Sequence, residues 1–207
     1  HPDVSSKVVT SINFSSSPDA HDRYGHGTHV AGIVAALTDN ALGVAGMAPE
    51  VRLANVKVLG DSGGGSWSWV IAGILWAADN GVHVINMSLG GNTGSQALED
   101  AINYAWSKGL VVVAAAGNSG SSSPFYPAFY PNCIAVAATD INDQKASFSN
   151  YGDWVDLAAP GAAILSTVPV GGSPIGDPSG YKNLSGTSMA APHVAGLAAL
   201  LFPLMPD

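Results

Sequence analysis

Two short segments, far apart in the chain, each carry one reactive side chain among small neighbours. His26 lies between Gly25 and Gly27, and Ser188 lies in the run SGTSMAAP. A serine hydroxyl is a weak nucleophile near neutral pH, but a neighbouring neutral imidazole can accept its proton during attack on a carbonyl. The pair predicts acyl-transfer chemistry if the two segments meet in space. Taken alone, a serine at a helix start is more often an N-cap, so a structural role for Ser188 is the alternative.

Asn118 is the third group that such chemistry would use. It follows Gly117 directly after the apolar run LVVVAAA. A side-chain amide there can donate to the oxygen on which negative charge develops, and helix-terminal amides beside Ser188 favour the same charge. The alternative interpretation of Asn118 is an ordinary turn asparagine.

Other polar residues give weaker signals. His29 follows His26 by three positions, whereas a helical zinc-protease motif needs four with a Glu between, so His29 is predicted to be structural. His193 lies on an apolar helix and is predicted to be a core histidine. Cys133, the only cysteine, lies in an apolar run and is predicted to be a buried, inert thiol. Gly25 and Gly27 do not open a dinucleotide fingerprint, because Val30 stands where its third glycine belongs.

Composition excludes several classes of protein. The 207 residues contain 7 Lys plus Arg against 15 Asp plus Glu, for a formal charge of −8. This balance argues against nucleic acid and against an anionic membrane surface as partners. The apolar runs, such as LVVVAAAG from Leu110, look too short to span a bilayer. We therefore expect one soluble, compact domain over residues 1–207.

The helices and strands that must position these side chains are predicted from the periodicity of apolar residues and from the Gly, Ser and Pro residues that separate the periodic segments. Helices are predicted over residues 26–37, 66–80, 95–108 and 187–202, and strands over 51–59, 82–89, 110–116, 133–138 and 154–159. Strands that alternate with helices predict an α/β fold with a parallel sheet covered on both faces. Ligands of such sheets bind at the carboxyl ends of strands, which favours residues 88–91 and 117–118 as site positions. The first 25 residues are expected to be a polar opening.

Four segments carry a resemblance that covers essentially the whole chain. GHGTHVAG from Gly25, NMSLGG from Asn86, VVVAAAGN from Val111 and SGTSMAAPHVAG from Ser185 resemble, in order, the family segments of subtilisin-like serine endopeptidases, closest to the thermitase-like branch. The resemblance implies a three-layer α/β/α catalytic domain with a mostly parallel sheet, incomplete at both ends. It also implies that His26 is the general base, Ser188 the nucleophile and Asn118 the oxyanion-hole amide, assisted by the backbone N–H of Ser188.

The same resemblance implies a substrate groove in which a peptide lies as an added strand. Its two edges would be residues 63–65 and 88–90, and residues 115–117 would form a wall of the primary specificity pocket. Trp67 would flank a pocket further upstream. Phe125 would lie near the floor of the primary pocket, where it should shorten that pocket and disfavour large aromatic side chains. By residue, the implied groove consists of Gly63, Gly64, Gly65, Trp67, Ser88, Leu89, Gly90, Ala115, Ala116, Gly117 and Phe125.

Calcium is the implied metal, because hard oxygen ligands suit Ca²⁺. Asp3 and Asn40 would give side-chain oxygens, and Leu37, Leu42 and Val44 would give carbonyl oxygens. A weaker cation site is implied near Ala128, Tyr130 and Asp156. The family further implies protein or peptide substrates, a propeptide in the precursor, a secreted location and a monomeric state.

The chain departs from the family pattern at its start. The family aspartate that orients the histidine stands in an Asp-Ser-Gly or Asp-Thr-Gly turn shortly before the HPD segment, whereas HPD opens this chain. Asp3, Asp19 and Asp22 all follow that point, and Asp22 resembles a surface carboxylate near the groove. The expectation is an internal piece of a larger secreted protease, cut near both ends, marginally stable and nearly inactive alone.

Two alternatives to the peptidase were weighed. A catalytically inactive subtilisin-like protein that binds peptides in the groove stays open. An α/β-hydrolase esterase does not fit, because its acid and base must follow the serine. Only His193 and Asp207 follow Ser188, and Ala190 interrupts the required G-x-S-x-G pattern.

Overall fold

A computed structural model describes residues 1–204 of the chain, so Asp207, weighed above as a hydrolase acid, lies outside the described residues. Within that range the α-helices are α1 (Pro2–Ser5), α2 (His26–Ala35), α3 (Trp67–Asp79), α4 (Gln96–Ser107) and α5 (Thr187–Leu201). The strands are β1 (Val8–Asn13), β2 (Leu53–Lys57), β3 (Val84–Met87), β4 (Val111–Ala115), β5 (Ile134–Thr139), β6 (Leu157–Pro160), β7 (Ile164–Thr167) and β8 (Tyr181–Leu184). All nine predicted elements are present; seven are shortened by one to four residues, β5 is shifted by one residue at unchanged length, and β6 begins three residues later and ends one residue later than predicted.

The central sheet is parallel, with the order β3-β4-β5-β6. Alternation along β4 divides its side chains between two cores, since successive strand residues face opposite sides. Val112 and Ala114 pack on the side of α3 and α4, whereas Val113 and Ala115 pack on the side of α5. The sheet is thus covered on both faces, which confirms the predicted α/β class with three layers.

Helix α5 lies across the strands of this sheet and carries the candidate nucleophile. Residues Thr187–Leu204 are long and apolar enough to cross a membrane by length and composition, with a mean hydropathy of 1.4. The expectation that no apolar stretch reaches that length was therefore wrong. The helix packs against β3, β4, β5 and β6, and Met189, Ala190 and Ala191 are buried, so its apolar composition is that of a core helix.

The predicted single parallel sheet is divided in the structure. Strands β1 and β2 form a separate parallel pair, and within residues 1–204 neither β1 nor β2 is hydrogen-bonded to β3. A channel of about 2090 Å³ lies between β2 and β3 and is also lined by α3, α5 and His26. The facing edges of β2 and β3 therefore carry backbone groups that no strand of the described chain pairs.

The opening residues were expected only to be polar, and no helix or strand was predicted there. They form the short helix α1 and the strand β1, whose Ile12 pairs with Val56 of β2. An antiparallel hairpin of β7 and β8, paired from Ile164↔Leu184 to Thr167↔Tyr181, was also missed. This hairpin packs on α2 and leads directly into the segment that carries Ser188.

Helix ends follow the predicted signals closely. Ser95 caps α4, because its Oγ accepts from Leu98 N at 3.3 Å. Gly81 and Gly109 follow α3 and α4 with φ of 72° and 83°, the left-handed conformation common after a helix. Ser66 stands at the N-cap of α3 but makes no capping hydrogen bond, since its hydroxyl pairs with Ser68 Oγ at 2.8 Å.

Candidate active site

Ser188 stands in the first turn of α5, four residues after the end of β8. Its side chain is half-buried, and its hydroxyl donates to the backbone oxygen of Ser88 at 3.2 Å. The Ser88 hydroxyl donates in return to the backbone oxygen of Ser188 at 2.7 Å. The end of β3 is thereby joined to the start of α5, so residue 88 lies beside the predicted nucleophile.

Asn118 lies beyond the end of β4 and is oriented by Thr187. Its Oδ1 accepts from the backbone N of Thr187 at 2.8 Å and from Thr187 Oγ1 at 3.0 Å. Thr187 Oγ1 also accepts from Gly117 N at 3.0 Å. Within residues 1–204 the Nδ2 group of Asn118 makes no hydrogen bond, and its side chain is exposed. Two N–H bonds are thus left to donate to a ligand oxygen.

Gly186 leaves space next to this amide. A Cβ at position 186 would lie 3.4 Å from Asn118 Nδ2 and 3.7 Å from the backbone N of Ser188. Both donors of the predicted oxyanion hole therefore face the position that a side chain would fill. A residue larger than glycine at position 186 would crowd them.

Sequence reasoning missed the residue that holds this loop from behind. Asn150 is 2% exposed, and its Nδ2 donates to Ala116 O at 2.9 Å. Its Oδ1 accepts from Ser119 N at 2.9 Å and from Ser121 N at 3.2 Å. One buried amide therefore fixes the backbone on both sides of Asn118. The pairing joins segments about thirty residues apart, so no local pattern could have indicated it.

His26 is the first residue of α2, and its helix start is capped by Asp22. The preceding Gly25 has φ of 106° and caps the helix with no side chain. Asp22 Oδ1 accepts from Tyr24 N and Gly25 N, and its Oδ2 accepts from the backbone N and the hydroxyl of Thr28. Asp22 was predicted to be a surface carboxylate near the groove. It is instead half-buried, with both oxygens used by the turn that presents His26.

The pKa values of Asp22 and His26 are both lowered, but for different reasons. Burial tends to raise the pKa of the Asp22 carboxyl, but the hydrogen bonds from Gly25, Thr28 and Tyr24 outweigh it and hold that pKa below its ordinary value. Burial lowers the pKa of His26, while the negative charge of Asp22 acts in the opposite direction. His26 is therefore neutral near pH 7, the state in which an imidazole can accept a proton.

The structure brings the predicted site residues together to different degrees. Hydrogen bonds directly link the segments of Ser88, Asn118, Thr187 and Ser188. His26 is on α2, which packs against α5, but within residues 1–204 its ring makes no hydrogen bond. The hydroxyl of Ser188 is directed to Ser88 O rather than to His26.

His29, His193 and Cys133 were predicted to have structural rather than catalytic roles, and each packs inside the fold or bonds to its own helix. His29 is fully buried, and His193 Nδ1 contacts Met189 O at 2.8 Å on its own helix. Burial lowers the pKa of both rings. Cys133 is 4% exposed, and burial raises the pKa of its thiol, which makes it unreactive.

The predicted groove edges flank the end of β3. Residues 88–90 continue directly from β3. The loop of residues 60–65 turns through hydrogen bonds from Gly63 N to Gly60 O at 2.9 Å and from Gly60 N to Gly64 O at 2.7 Å. Trp67 begins α3, and its ring would lie 3.2 Å from a Cβ at Gly91. Ala115, Ala116 and Gly117 are buried, so their predicted pocket wall would expose little side-chain surface.

Phe125 lies between the two glycines that end these segments. A Cβ at Gly117 would lie 2.9 Å from Phe125 Cγ, and a Cβ at Gly90 would collide with Phe125 Cε1. The ring thus fills the space between the end of β4 and the segment after β3. This is the space in which the primary specificity pocket was predicted.

In the predicted calcium site, Asp3 is suited to bind a cation, whereas the side chain of Asn40 is not oriented for it. Asp3 is 1% exposed, and its carboxylate accepts only from uncharged donors, Tyr181 OH at 3.1 Å and Asn40 Nδ2 at 2.6 Å. The ion pairs within residues 1–204 join other carboxylates to Arg23 and Lys57. A buried carboxylate without a cationic side chain is suited to a metal ion. Asn40, however, directs its amide nitrogen rather than its oxygen towards Asp3.

The loop that would supply the carbonyl ligands borders an open surface depression of about 360 Å³ lined by residues 37–45. Asp39, Ala41 and Gly43 all have positive φ, so the loop coils tightly through alternate residues. Within the described residues no group of three His, Cys, Asp or Glu could hold a metal. A cation at Asp3 would therefore depend on the predicted carbonyl oxygens of Leu37, Leu42 and Val44.

The residues of the predicted weaker cation site have structural partners. Tyr130 OH donates to Ser95 O at 2.9 Å and accepts from Ser95 N at 2.8 Å. Asp156 Oδ2 accepts from Ala135 N at 2.8 Å, and Ala128 is buried. These contacts fix the chain between α4, β5 and β6. The weaker site stays a prediction.

One three-layer α/β fold thus carries a half-buried serine, an exposed asparagine amide and a histidine at a helix start, which are residue types that serine acyl transfer uses. Residues 1–207 match the Subtilase family, Peptidase_S8. The chain belongs to this family of peptidases.

Known relatives agree with this assignment. The chain is 54% identical over 202 residues to thermitase of Thermoactinomyces vulgaris, covering 97% of this chain and 70% of thermitase. It is 51% identical over 201 residues to subtilisin Savinase of Lederbergia lenta, covering 97% of this chain and 71% of Savinase. It is 54% identical over 202 residues to the thermophilic serine proteinase of Bacillus sp. (strain AK1), of which it spans only 48%.

A solved structure shows the same fold. It is that of a cold adapted subtilisin-like serine proteinase, with a TM-score of 0.85 and 40% identity, and the match covers 99% of this chain and 71% of that chain. The predicted family and fold class are both confirmed.

Proposed function

We propose that this site hydrolyses peptide bonds in proteins through an acyl-enzyme on Ser188. The observation that carries the proposal is the orientation of Asn118 by Thr187, which leaves the Nδ2 group free beside the backbone N of the serine. Donors arranged before the reaction stabilise the oxyanion without reorganisation.

In the proposed mechanism, Ser188 Oγ attacks the scissile carbonyl carbon while His26 accepts the hydroxyl proton. The carbonyl oxygen becomes an oxyanion that accepts from Asn118 Nδ2 and from the backbone N of Ser188. The protonated imidazole then donates to the leaving amine, and the acyl-enzyme forms. Water attacks this ester with His26 again as the base, which releases the new carboxyl end and restores Ser188.

We further propose that a carboxylate from outside these 207 residues orients His26. Asp22, the acid closest in sequence, already uses both oxygens on Tyr24, Gly25 and Thr28. The channel between β2 and β3 is lined by His26 and is bordered by strand edges without a partner in the described chain. A strand in this channel would pair with both edges and bring its end to the ring. Without the carboxylate, we expect turnover to be lower by about 10⁴.

Labelling with a fluorophosphonate tests the serine chemistry. We expect slow covalent labelling of the chain, none in Ser188→Ala, and slower labelling in His26→Ala. Absence of labelling in the parent chain and in the supplemented chain described next would contradict the peptidase. Groove binding of a peptide without any labelling would instead support the alternative, a catalytically inactive peptide-binding protein.

A peptide added in trans tests the outside carboxylate. The probe is a synthetic strand of alternating Val and Ala that ends in Asp-Ser-Gly, and its matched control ends in Asn-Ser-Gly. We expect the Asp peptide to raise the labelling rate of Ser188 by at least about tenfold, and the Asn peptide to leave that rate unchanged. Equal rates with both peptides would contradict the proposed carboxylate.

We propose that the substrate is an extended peptide with a small side chain in the primary pocket. Phe125 between Gly90 and Gly117 supports this, because its ring takes up volume that a large aromatic side chain would need. Phe125→Gly is expected to improve cleavage after Phe and Tyr relative to Ala. Phe129→Gly, which removes an exposed ring, serves as the control and should leave that ratio unchanged. A Phe125→Gly variant with the parent's preference would contradict the proposal.

We propose that Ca²⁺ binds at Asp3 and the loop of residues 37–44, where it would supply charge compensation for the buried carboxylate. A ligand that binds only the folded chain raises its melting temperature. We expect Ca²⁺ to raise the melting temperature of the parent chain, and Asp3→Asn to remove most of this rise. Asp39→Asn, a change on the exposed part of the same loop, should keep the rise. A melting temperature indifferent to Ca²⁺ would contradict the site.

An extracellular location, a propeptide in the precursor and a monomeric state are further proposals taken from the family resemblance. The acidic, cysteine-poor composition gives weak support for secretion. Sedimentation of the chain checks the monomer, and the sequence of the complete gene checks the leader and the propeptide.

A further inference from the structure

His29 is a fully buried histidine for which the proposed mechanism has no use. It lies one turn after His26 on α2, and its side chain faces the β7–β8 hairpin. Its Nε2 lies 3.1 Å from the backbone oxygen of Ile164 and 3.0 Å from that of Lys182. One ring nitrogen therefore contacts both strands of the hairpin.

The two partners decide where the ring proton is. Carbonyl oxygens only accept hydrogen bonds, so Nε2 must carry the hydrogen and share it between Ile164 and Lys182. Nδ1 is then unprotonated. It is buried and has no hydrogen-bond partner within residues 1–204. Protonation of Nδ1 would bury a second N–H without an acceptor, so the contact requires the neutral ring.

Backbone atoms near His29 strengthen the same junction. Ser166 Oγ donates to His29 O at 2.8 Å, and Thr167 Oγ1 donates to Thr28 O at 2.8 Å. Gly32 allows the close approach, because a Cβ there would collide with the hydroxyls of both residues. Helix α2 is thus fixed against β7, but only His29 also reaches β8 among these contacts.

The contact between His29 and β8 matters for the candidate active site because β8 leads into the segment that carries Ser188. Lys182 lies six residues before Ser188, and β8 continues through Ser185 and Gly186 into α5. The Ser185 hydroxyl accepts from Ala163 N at 2.9 Å, which holds this segment to the start of β7. A shift of β8 along α2 would therefore move the serine relative to the histidine that begins α2.

We propose that His29 is a positioning residue whose neutral Nε2–H sets the distance between His26 and Ser188 by joining α2 to both strands of the hairpin. The inference rests on the proposed function only for its kinetic consequence. The tautomer and the position of α2 can be measured without any catalysis.

NMR of the ¹⁵N-labelled chain tests the tautomer. Two-bond ¹H–¹⁵N correlations should show His29, assigned by its loss in His29→Gln, with a protonated Nε2 and an unprotonated Nδ1 between about pH 8 and pH 6, across the range in which an ordinary imidazole titrates. A ring with the hydrogen on Nδ1, or one that becomes protonated within that range, would overturn the proposal.

Matched variants test the positioning. His29→Gln can still donate to the two carbonyls, whereas His29→Leu leaves both unpaired, and Thr167→Val removes a hydrogen bond of the same α2–β7 contact without touching β8. Under conditions where all variants are folded, we expect His29→Leu to label with fluorophosphonate at least about tenfold more slowly than the parent at saturating probe. His29→Gln and Thr167→Val should stay within about threefold.

Labelling of His29→Leu at the parent rate, or an equal loss in Thr167→Val, would overturn the proposal. If neither the parent chain nor the chain supplemented with the Asp peptide is labelled, the proposed function fails, and the ring resonances of His26 decide the positioning. His29→Leu must then shift them more than Thr167→Val does, and equal shifts would assign His29 a merely structural role.

Discussion

The two sides of the candidate site are built differently. Ser188, at the start of α5, is hydrogen-bonded to Ser88 at the end of β3, and the adjacent Thr187 is hydrogen-bonded to Asn118 beyond β4. In the sheet of β3 to β6, Val112, Val113 and Val136 are fully buried. His26 stands on α2, which is held by polar contacts to a hairpin and faces a channel. Every residue of β2 across that channel is only half-buried. The oxyanion side is therefore preorganised by a closely packed core, whereas the base side borders an open channel.

Removal of the oxyanion amide should give the largest effect. Asn118→Ala is expected to lower the rate of Ser188 labelling by about 10²–10³, a magnitude already known for the oxyanion asparagine of this family and carried over here. The buried Thr187 would lose the acceptor of its backbone N and of its hydroxyl, so the melting temperature should also fall, and the rates are compared where both variants are folded. Asn142→Ala, in an exposed loop, is the control. An unchanged rate in Asn118→Ala would mean that this side of the site is not preorganised for an oxyanion.

Core truncations compare the two sides directly. Leu98→Ala removes a fully buried side chain on α4 and should lower the free energy of unfolding by about 2–5 kcal/mol. Val56→Ala, on the half-buried strand β2 beside the channel, should cost less than about 1 kcal/mol, because its surroundings are already open. Urea denaturation measures both losses. Equal losses would show that the two sides are packed alike.

Acidification should weaken the base side in particular. Burial lowers the pKa of His26, His29 and His193, and two of these three lie on α2. Below the ordinary histidine pKa of about 6.5, the unfolded chain binds more protons than the folded chain. The free energy of unfolding therefore has its full value above that pH and decreases as the pH falls below it. Asp22 has a lowered pKa, so its contribution is lost only below the ordinary Asp value of about 3.9.

Melting curves at several pH values check this dependence. The melting temperature should fall between pH 7.5 and pH 5.5, and His29→Gln and His193→Gln should each reduce the fall. A melting temperature that stays constant or rises on acidification would contradict the assignment of buried neutral rings.

The cap of α2 should give the smallest effect. Asp22→Ala is expected to cost about 0.5–2 kcal/mol, the range for loss of a helix N-cap, and to lower the pKa of His26 further by removing a negative charge. Asp19→Ala in the same loop removes an exposed carboxylate paired with Arg23 and should cost less than Asp22→Ala, because water and salt screen an exposed ion pair. Urea denaturation and NMR titration of His26 measure the two effects. An equal cost in both variants would contradict the capping role.

Much of the fold was predictable because its signals are local. The alternation of apolar strands and helices indicated an α/β class, and Gly81 and Gly109 marked helix ends at the expected places. Strands β7 and β8 were missed because polar residues, Ser166 and Thr167 in one and Lys182 and Asn183 in the other, interrupt their apolar residues. Strand β3 is equally short, but it lies in a longer apolar run. Strand β1 was missed because three of its six residues are exposed and none is fully buried, so the segment shows no alternation of apolar and polar residues.

The candidate site likewise has some features that local sequence motifs indicate and others that only distant packing decides. The sequence by itself determined the chemical types of His26, Ser188 and Asn118 and the small residues around them, since both follow from short motifs. Only the tertiary structure decided that Asp22 caps α2 and that a channel divides the sheet. The tertiary structure likewise decided that His29 bonds to carbonyls 135 and 153 residues away. Periodicity reports only on neighbours along the chain, whereas these contacts depend on how distant segments pack, which no local pattern encodes.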